Sequence, residues 1–508
     1  MKKYIGNKSK IVPIIYNEIS ALVPTGTATI FDAFSGTTNV GQFFKKNGYT
    51  VLANDINTTS RVLGKVYIEL NSLPTFNNLL DSSSSVSSNI LAHIGADEFI
   101  SKKKELYSQN RNTCDANYMQ TIYDTNAYNV LTYLTYFSSS IDYNDSTLPY
   151  QLPIDNFIRR NYCASGENSQ YFNLVSQKSI IAQMKTLEKY SSSRNNLQNI
   201  IKLLASTYEP PYPIINLSLA IDELEKYIIE NPESPAPISK ALSKLKSLNK
   251  RKNHIGKRMF FSETHGERID TILSTIIYWY RNKLINEGEY NFLLCALLEA
   301  VALFSNTSAT YQAFYKTYRN NTLQPFRLVI PEIIESDKTH RVFCEDTFEL
   351  IQNIDYDYDV LYLDPPYNWR IYDSNYHLLN LIADFDNIID EYKEYESGIS
   401  GAAGENRNLV RNYTNYNKRE TFEDLLFELI KKSRSRLVAI SYSDSNSNHN
   451  KNSLSCVNKI EKFLNSIYFV PGSFKKVEIR SKNFESRKTK HKKDIHELLF
   501  LAEKRMEE

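Results

Sequence analysis

The chain has almost no excess charge of either sign, few cysteines and no long apolar run. Its 508 residues hold 60 Lys and Arg against 58 Asp and Glu, a formal net charge of +2. So even a balance does not announce a nucleic-acid partner, and local clustering has to decide that question. The five cysteines, Cys114, Cys163, Cys295, Cys344 and Cys456, form no C-x-x-C pair. Their scatter argues against a zinc site or a disulfide framework and fits a reducing compartment. No stretch reaches the ~18 apolar residues of a membrane span, and the apolar run after the basic start is too broken for a signal peptide. There is no internal repeat, and the insert holds no convincing P-D…E-x-K strand pair of a nuclease. The 36 tyrosines, beside many Asn, Lys, Ile and Ser, fit an AT-rich coding sequence.

What is present is most distinctive at 360–377, VLYLDPPYNWRIYDSNYH. Val360–Leu363 read as a short buried strand. Pro365 and Pro366 cannot donate to a sheet ladder, so the strand must stop there. Asp364 is thereby held at a strand tip, with Tyr367 just beyond two stiff residues.

Similar punctuation recurs along the chain. ATIFDAF is a strand candidate, TNVGQFFKKNG a helix with a glycine stop, and TVLAND the next strand. RVFCEDTFELIQNI and SRLVAISYSDS repeat the α/β pattern. FKKVEIRSKNF and IHELLFLAEK read as a closing antiparallel pair. The serine-rich stretch 81–89 reads as a loop and boundary, and 385–420 as a polar loop or lid. Between Asp55 and Asp346 the pattern is mostly helical, clearest in ERIDTILSTIIYWYRNKLI and YNFLLCALLEAVALFSN. A segment this long is a domain rather than a loop. The fold expected is α/β, a Rossmann-like, doubly wound sheet with a large, mostly helical insert.

In an open α/β sheet, ligands bind outside the carboxyl ends of the strands. The tips here carry Asp32, Phe34, Ser35 and Gly36, then Asp55, Asp346 and Asp364–Tyr367. Methyl transfer from S-adenosylmethionine would use such a set. A glycine turn admits the methionine end, an acid at the second tip accepts the ribose hydroxyls, and an acid at the third accepts from the adenine amine. An exocyclic amine on a nucleobase is a poor nucleophile because its lone pair is delocalised. Acceptors aimed at its N–H groups, the Asp364 carboxylate and the Pro365 carbonyl, favour a more tetrahedral nitrogen. Tyr367 offers a face for a base turned out of its duplex.

DPPY resembles the catalytic motif of amino-methyltransferases acting on adenine N6 or cytosine N4 in DNA. KYIGNKSKI (3–11) is similar to their N-terminal motif, which implies that Tyr4, Gly6, Asn7 and Lys8 meet the methionine end of the cofactor. FDAFSGTTNVG resembles their glycine loop, with Thr38 where glycine is usual. ND (54–55) and EDTFEL (345–350) resemble their ribose and adenine elements. The motif order is that of the alpha group of DNA adenine methyltransferases, to which Dam-type enzymes belong. The resemblance implies catalytic roles for Asp364, Pro365, Pro366 and Tyr367. It implies cofactor contacts from Tyr4, Gly6, Asn7, Lys8, Asp32, Phe34, Ser35, Gly36, Asp55 and Asp346. It further implies S-adenosylmethionine as methyl donor without a metal, double-stranded DNA as partner, and a bacterial cytoplasmic monomer. A cognate restriction endonuclease would be a separate chain.

The resemblance divides the chain into 1–75 and 301–508 as the two parts of the catalytic domain, with 76–300 as an inserted target-recognition region. NFIRRNYCASGENSQYFN (156–173) is similar to a family element that approaches DNA. Basic runs at 239–261, from Lys240 to Arg258, and at 474–494 are candidates for phosphate contact, which positions a duplex without reading it. Trp369 and Tyr372 are candidates to line a flipped-base pocket, and His377 reads better as structural than as catalytic. Cytosine-N4 transfer is the alternative, although that motif usually begins with Ser. A catalytically inactive DNA-binding module is another.

Overall fold

The computed structural model describes residues 8, 10–81, 84–111, 113–140, 148–152, 155–172, 174–191, 195–207, 215–250, 255–365, 372–406, 422–443, 453–482 and 494–505. Its centre is a sheet of seven strands. They are β1 (Thr29–Asp32), β2 (Thr50–Asn54), β3 (Arg341–Phe343), β4 (Val360–Leu363), β5 (Leu437–Ser443), β6 (Lys475–Lys482) and β7 (Asp494–Glu503). The spatial order is β6-β7-β5-β4-β1-β2-β3. β1 pairs in parallel with both β2 and β4, β4 with β5, and β2 with β3. β7 runs antiparallel to β5 and β6. The chain reverses its strand order between β1 and β4, where doubly wound sheets open a crevice for ligands.

Helices cover both faces, which explains why the inner strands read as continuous apolar runs. Side chains alternate between two cores with period two. Ile30, Val51, Val360, Tyr362, Leu437, Ala439, Leu499 and Leu501 share one core with the helices Val12–Ser20 and Asn39–Lys46. Phe31, Leu52, Leu361, Leu363, Val438, Ile440 and Phe500 face the other way, onto helices Thr347–Asn353, Phe422–Lys432 and Ser453–Leu464.

The long stretch between β2 and β3 is helical, and its largest core is continuous with the elements beside the sheet. Helices Glu263–Arg281 and Glu287–Phe304 form its axis, the second opened by a reciprocal cap between Asn286 and Glu289. Val62, Leu63 and Val66 join this core from the start of the stretch, and Tyr376, Leu379 and Phe385 from beyond β3. A separate core belongs to four helices, Leu174–Glu188, Asn195–Ser206, Ile215–Glu230 and Ala236–Asn249. They are inserted between two short strands, Gln170–Phe172 and Ile255–Lys257, which pair antiparallel at the neck of the bundle.

Three expectations are corrected. The serine-rich stretch is not all loop: Ser84 accepts from Ser87 N and caps the helix Ser85–His93. Serine is a poor helix interior but a good cap, and Val86 and Ile90 bury the helix in the main core. Residues 385–406 are not a loop, and 407–420 lie outside the described residues. Phe385–Ile388 and Tyr392–Ser397 are helices, and Ile399–Ser400 pairs with Glu405–Asn406. Their charges are spent on the insert: Glu396 pairs with Arg160, and Asp386 and Asp390 with Arg281. Arg258, counted above among the phosphate contacts, is 1% exposed. No helix among the described residues is long and apolar enough to cross a membrane.

Candidate functional site

Sheet alternation places the site. Asp32 follows Ile30 by two residues, Asp364 follows Tyr362, and Ser441 follows Ala439, so all three lie on one face at the carboxyl ends of β1, β4 and β5. Antiparallel β7 brings Glu497, two residues before Leu499, to the same end of the same face. The helix Val12–Ser20 packs on that face, and the chain entering it carries Lys8 over the strand tips.

Lys8 is buried among them. Its ammonium donates to Ser441 Oγ at 3.1 Å and to Glu497 Oε2 at 3.0 Å. Asp364 Oδ1 lies 3.2 Å from the same nitrogen. Burial pushes the Asp364 carboxyl up to about 6, with Lys8 pulling it down and Glu497 pushing it up. Pro365 beside it is buried.

Asp32 is 1% exposed. It accepts from the backbone N–H groups of Phe34 and Gly41, yet burial first, then the charges of Asp364 and Asp55, hold its carboxyl well above the usual range. Its Oδ1 is buried and accepts no hydrogen bond. Such an orphaned carboxyl oxygen calls for a cationic or N–H partner.

The glycine loop is pinned from the second strand. Gly36 has φ 50° and donates to Asp55 Oδ2 at 2.9 Å, and Ser35 N donates to Asn54 O at 2.8 Å. Asp55 Oδ1 also accepts from Asn57 N and Nδ2, and burial raises the carboxyl. Thr38 takes φ 60° with its side chain buried, so the turn is of the left-handed kind that suits glycine. Gln42 Nε2 donates to Thr38 Oγ1 at 2.9 Å and holds the threonine there. The third tip is tied to the second through Asn54, which donates to Glu345 O and Thr347 Oγ1. Asp346 caps the helix Thr347–Asn353, accepting from Phe348 N and Glu349 N.

The structure thus brings Lys8, Asp32 and Asp364 together, sets Asp55 against Gly36, and places Asp346 at a helix start. Tyr4, Gly6, Asn7, Pro366, Tyr367 and Trp369 lie outside the described residues, and so does the side chain of Tyr372. His377 is buried, with its ring nitrogens 3.1 Å from Ser374 O and 3.0 Å from Ala403 O. Sequence reasoning missed Ser441 and Glu497. The available signal was an acid interrupting the apolar run of IHELLFLAE and a serine ending that of LVAIS.

The set fits S-adenosylmethionine. Asp32 Oδ1 and the glycine turn suit the charged amino-acid end, and Asp55 has carboxylate capacity beyond its loop contacts. Among known families, residues 4–202 and 219–438 match that of the D12 class N6 adenine-specific DNA methyltransferases. The gap in the match falls within the four-helix bundle. The Type II methyltransferase M.FokI of Planomicrobium okeanokoites is 32% identical over 247 residues, 49% of this chain and 35% of the relative. The Type II methyltransferase M.NlaIII of Neisseria lactamica is 36% identical over 180 residues, 34% of this chain and 53% of the relative. The modification methylase StsI of Streptococcus sanguinis is 28% identical over 250 residues, 49% of this chain and 35% of the relative. The chain therefore spans about a third to a half of the length of these relatives. No solved structure matches the chain.

Proposed function

We infer the activity from one premise: the chain belongs to the D12 class N6 adenine-specific DNA methyltransferases. It transfers a methyl group to N6 of an adenine turned out of duplex DNA, as the modification enzyme of a restriction–modification system. One observation supports this reading above the others. At the strand-order reversal, Asp364 presents a buried oxygen that accepts no hydrogen bond, beside the orphaned oxygen of Asp32. Two buried carboxyl oxygens that accept no hydrogen bond suit one cationic cofactor end and one weakly acidic amine.

S-adenosylmethionine supplies the electrophilic methyl group when bound. Asp32, Phe34, Ser35 and Gly36 receive its amino-acid end, Asp55 its ribose and Asp346 its adenine. Asp364 accepts from the N6 amine of the target, and the Pro365 carbonyl accepts the second N–H. This steers the nitrogen lone pair out of the ring and toward the methyl group. Pro366 fixes the direction of that carbonyl, and Tyr367 stacks on the base.

We place the catalytic domain at 1–75 and 301–508 and target recognition within 76–300. Within that span the four-helix bundle has its own core and presents exposed Lys240, Lys244 and Lys250 for phosphate contact. The chain acts as a monomer, and any cognate endonuclease is a separate protein.

The test is expression in a host that lacks adenine methylation, followed by sequencing its DNA with a method that detects modified bases. Modified adenine at one short motif is expected. Modified cytosine would move the assignment to N4 transfer, and unmodified DNA would overturn it.

A further inference from the structure

The contacts of the Lys8 ammonium with Ser441, Glu497 and Asp364 differ in kind. Those to Ser441 Oγ and Glu497 Oε2 are hydrogen bonds. The third, to Asp364 Oδ1 at 3.2 Å, is an ion pair, and that oxygen is buried without accepting a hydrogen bond. An ammonium has N–H donors to spend, and their direction decides which partner it serves. Lys8 gives Asp364 its charge and donates to the other two.

We propose that Glu497, together with Ser441, is a positioning residue for methyl transfer. It draws the Lys8 hydrogens away from Asp364, so that the Asp364 oxygen stays open to the amine of the methyl acceptor. This rests on the reading of Asp364 as the residue that holds that amine.

Two failures are avoided at once. A buried carboxylate with no cation nearby takes up a proton and becomes a donor, which is useless for holding an N–H group. A carboxylate hydrogen-bonded to its own lysine has spent the lone pair that the substrate needs. A second carboxylate on the far side of the ammonium keeps the cation in place and claims its hydrogens. Among the described residues, the charged and titratable groups around Asp364 are Lys8 from the N-terminal segment, Glu497 from β7, Asp32 from β1 and Tyr362 from its own strand. Ser441 on β5 contributes a neutral acceptor.

The experiment compares the wild type with Glu497→Gln, Ser441→Ala and Lys8→Met, measuring kcat against pH on substrate DNA and equilibrium binding of S-adenosylmethionine. Glu497→Gln removes charge but keeps the shape, so Lys8 turns its hydrogens to Asp364. Its plateau kcat should fall about tenfold, the size of one redirected hydrogen bond. Cofactor affinity and KM for DNA should stay within about twofold on the same scale. Its acid limb should move to lower pH, because a neighbouring negative charge is gone. Ser441→Ala should lower kcat without moving the limb, and Lys8→Met should move the limb to higher pH.

A second readout needs no turnover. The Asp364 carboxyl is titrated by ¹³C NMR, its signal identified by loss in Asp364→Asn. The midpoint should fall in Glu497→Gln by about half a pH unit or more. An unmoved limb and midpoint in an active Glu497→Gln would overturn the role of Glu497 and leave the enzyme assignment standing. A wild type that modifies no DNA sinks that assignment, and the NMR midpoints then decide alone whether Glu497 tunes Asp364.

Discussion

Asp32 and Asp364 lie on the same face of adjacent strands, and each holds one buried oxygen that accepts no hydrogen bond. Burial raises the cost of ionising Asp32, and the charges of Asp364 and Asp55 add to it. The free protein therefore carries an electrostatic penalty at its ligand site. For an acid whose folded value lies above its unfolded value, the folded state binds the proton more tightly. Stability then falls as pH rises from the unfolded value through the folded one, and stays low above it. Asp32→Asn should accordingly raise the thermal midpoint of the free protein at neutral pH, by about 1–2 °C for a chain of this size. The same change should weaken cofactor binding at least tenfold, about the worth of one charge-assisted hydrogen bond. Calorimetric melting and titration binding check both signs. A destabilised variant with full affinity would remove Asp32 from the site.

Asp364 titrates near 6, within reach of ordinary buffers. The ionised form is the acceptor, so kcat should rise with pH through that value and level off above it. Asp364→Ala should lower kcat by a factor on the order of a hundred or more, the usual cost of losing one preorganised group at a reacting centre. Cofactor affinity should change little, because Asp364 faces the acceptor amine. An equal collapse of cofactor affinity would put Asp364 on the wrong substrate.

Gly64 marks how closely helix Thr58–Gly64 approaches β3. A Cβ built there lies 2.7 Å from Val342 Cγ1 and 3.1 Å from Cγ2. Gly64→Ala should cost about 1–3 kcal/mol through overpacking, despite alanine's better helix propensity. Val342→Ala added to it should recover part of the loss. Chemical denaturation of the single and double variants separates this from a backbone effect, which the valine change would not relieve.

How far the sequence carried the reading follows from the range of each signal. The strands β1, β2, β4 and β5 and their acidic tips were legible because burial on both faces leaves short continuous apolar runs ended by turn residues. Lys8 was legible through its motif, but its partners were not. Ser441 and Glu497 meet it across 433 and 489 residues, and only the strand order brings them there. The charges of 385–397 misled in the same way. A run of Asp, Glu and Tyr reads as solvated loop, and nothing local shows that Arg160 and Arg281 wait for it.

Arg258 tests the other misreading. It lies in a basic run, and a DNA-binding chain invites its use on phosphate. Its guanidinium instead donates from Nε to Gly401 O at 3.0 Å, and from Nη1 to Asn161 O at 3.3 Å and Asn168 O at 2.8 Å. Gly404 packs against it with φ 69°, so closely that a Cβ would sit 2.9 Å from Arg258 Cδ. Tyr162 Oη donates to Gly404 O at 2.7 Å, closing the cluster. Arg258 thus joins the 156–172 segment to the hairpin 399–406. Arg258→Met keeps much of the stem and strips donors from three carbonyls, so it should cost about 3 kcal/mol or more. Its DNA affinity, measured where the variant is folded, should keep the wild-type salt dependence. A phosphate contact would give the reverse, with stability intact and a log–log salt slope shallower by about one. A folded, fully stable variant with that shallower slope would return Arg258 to the DNA face.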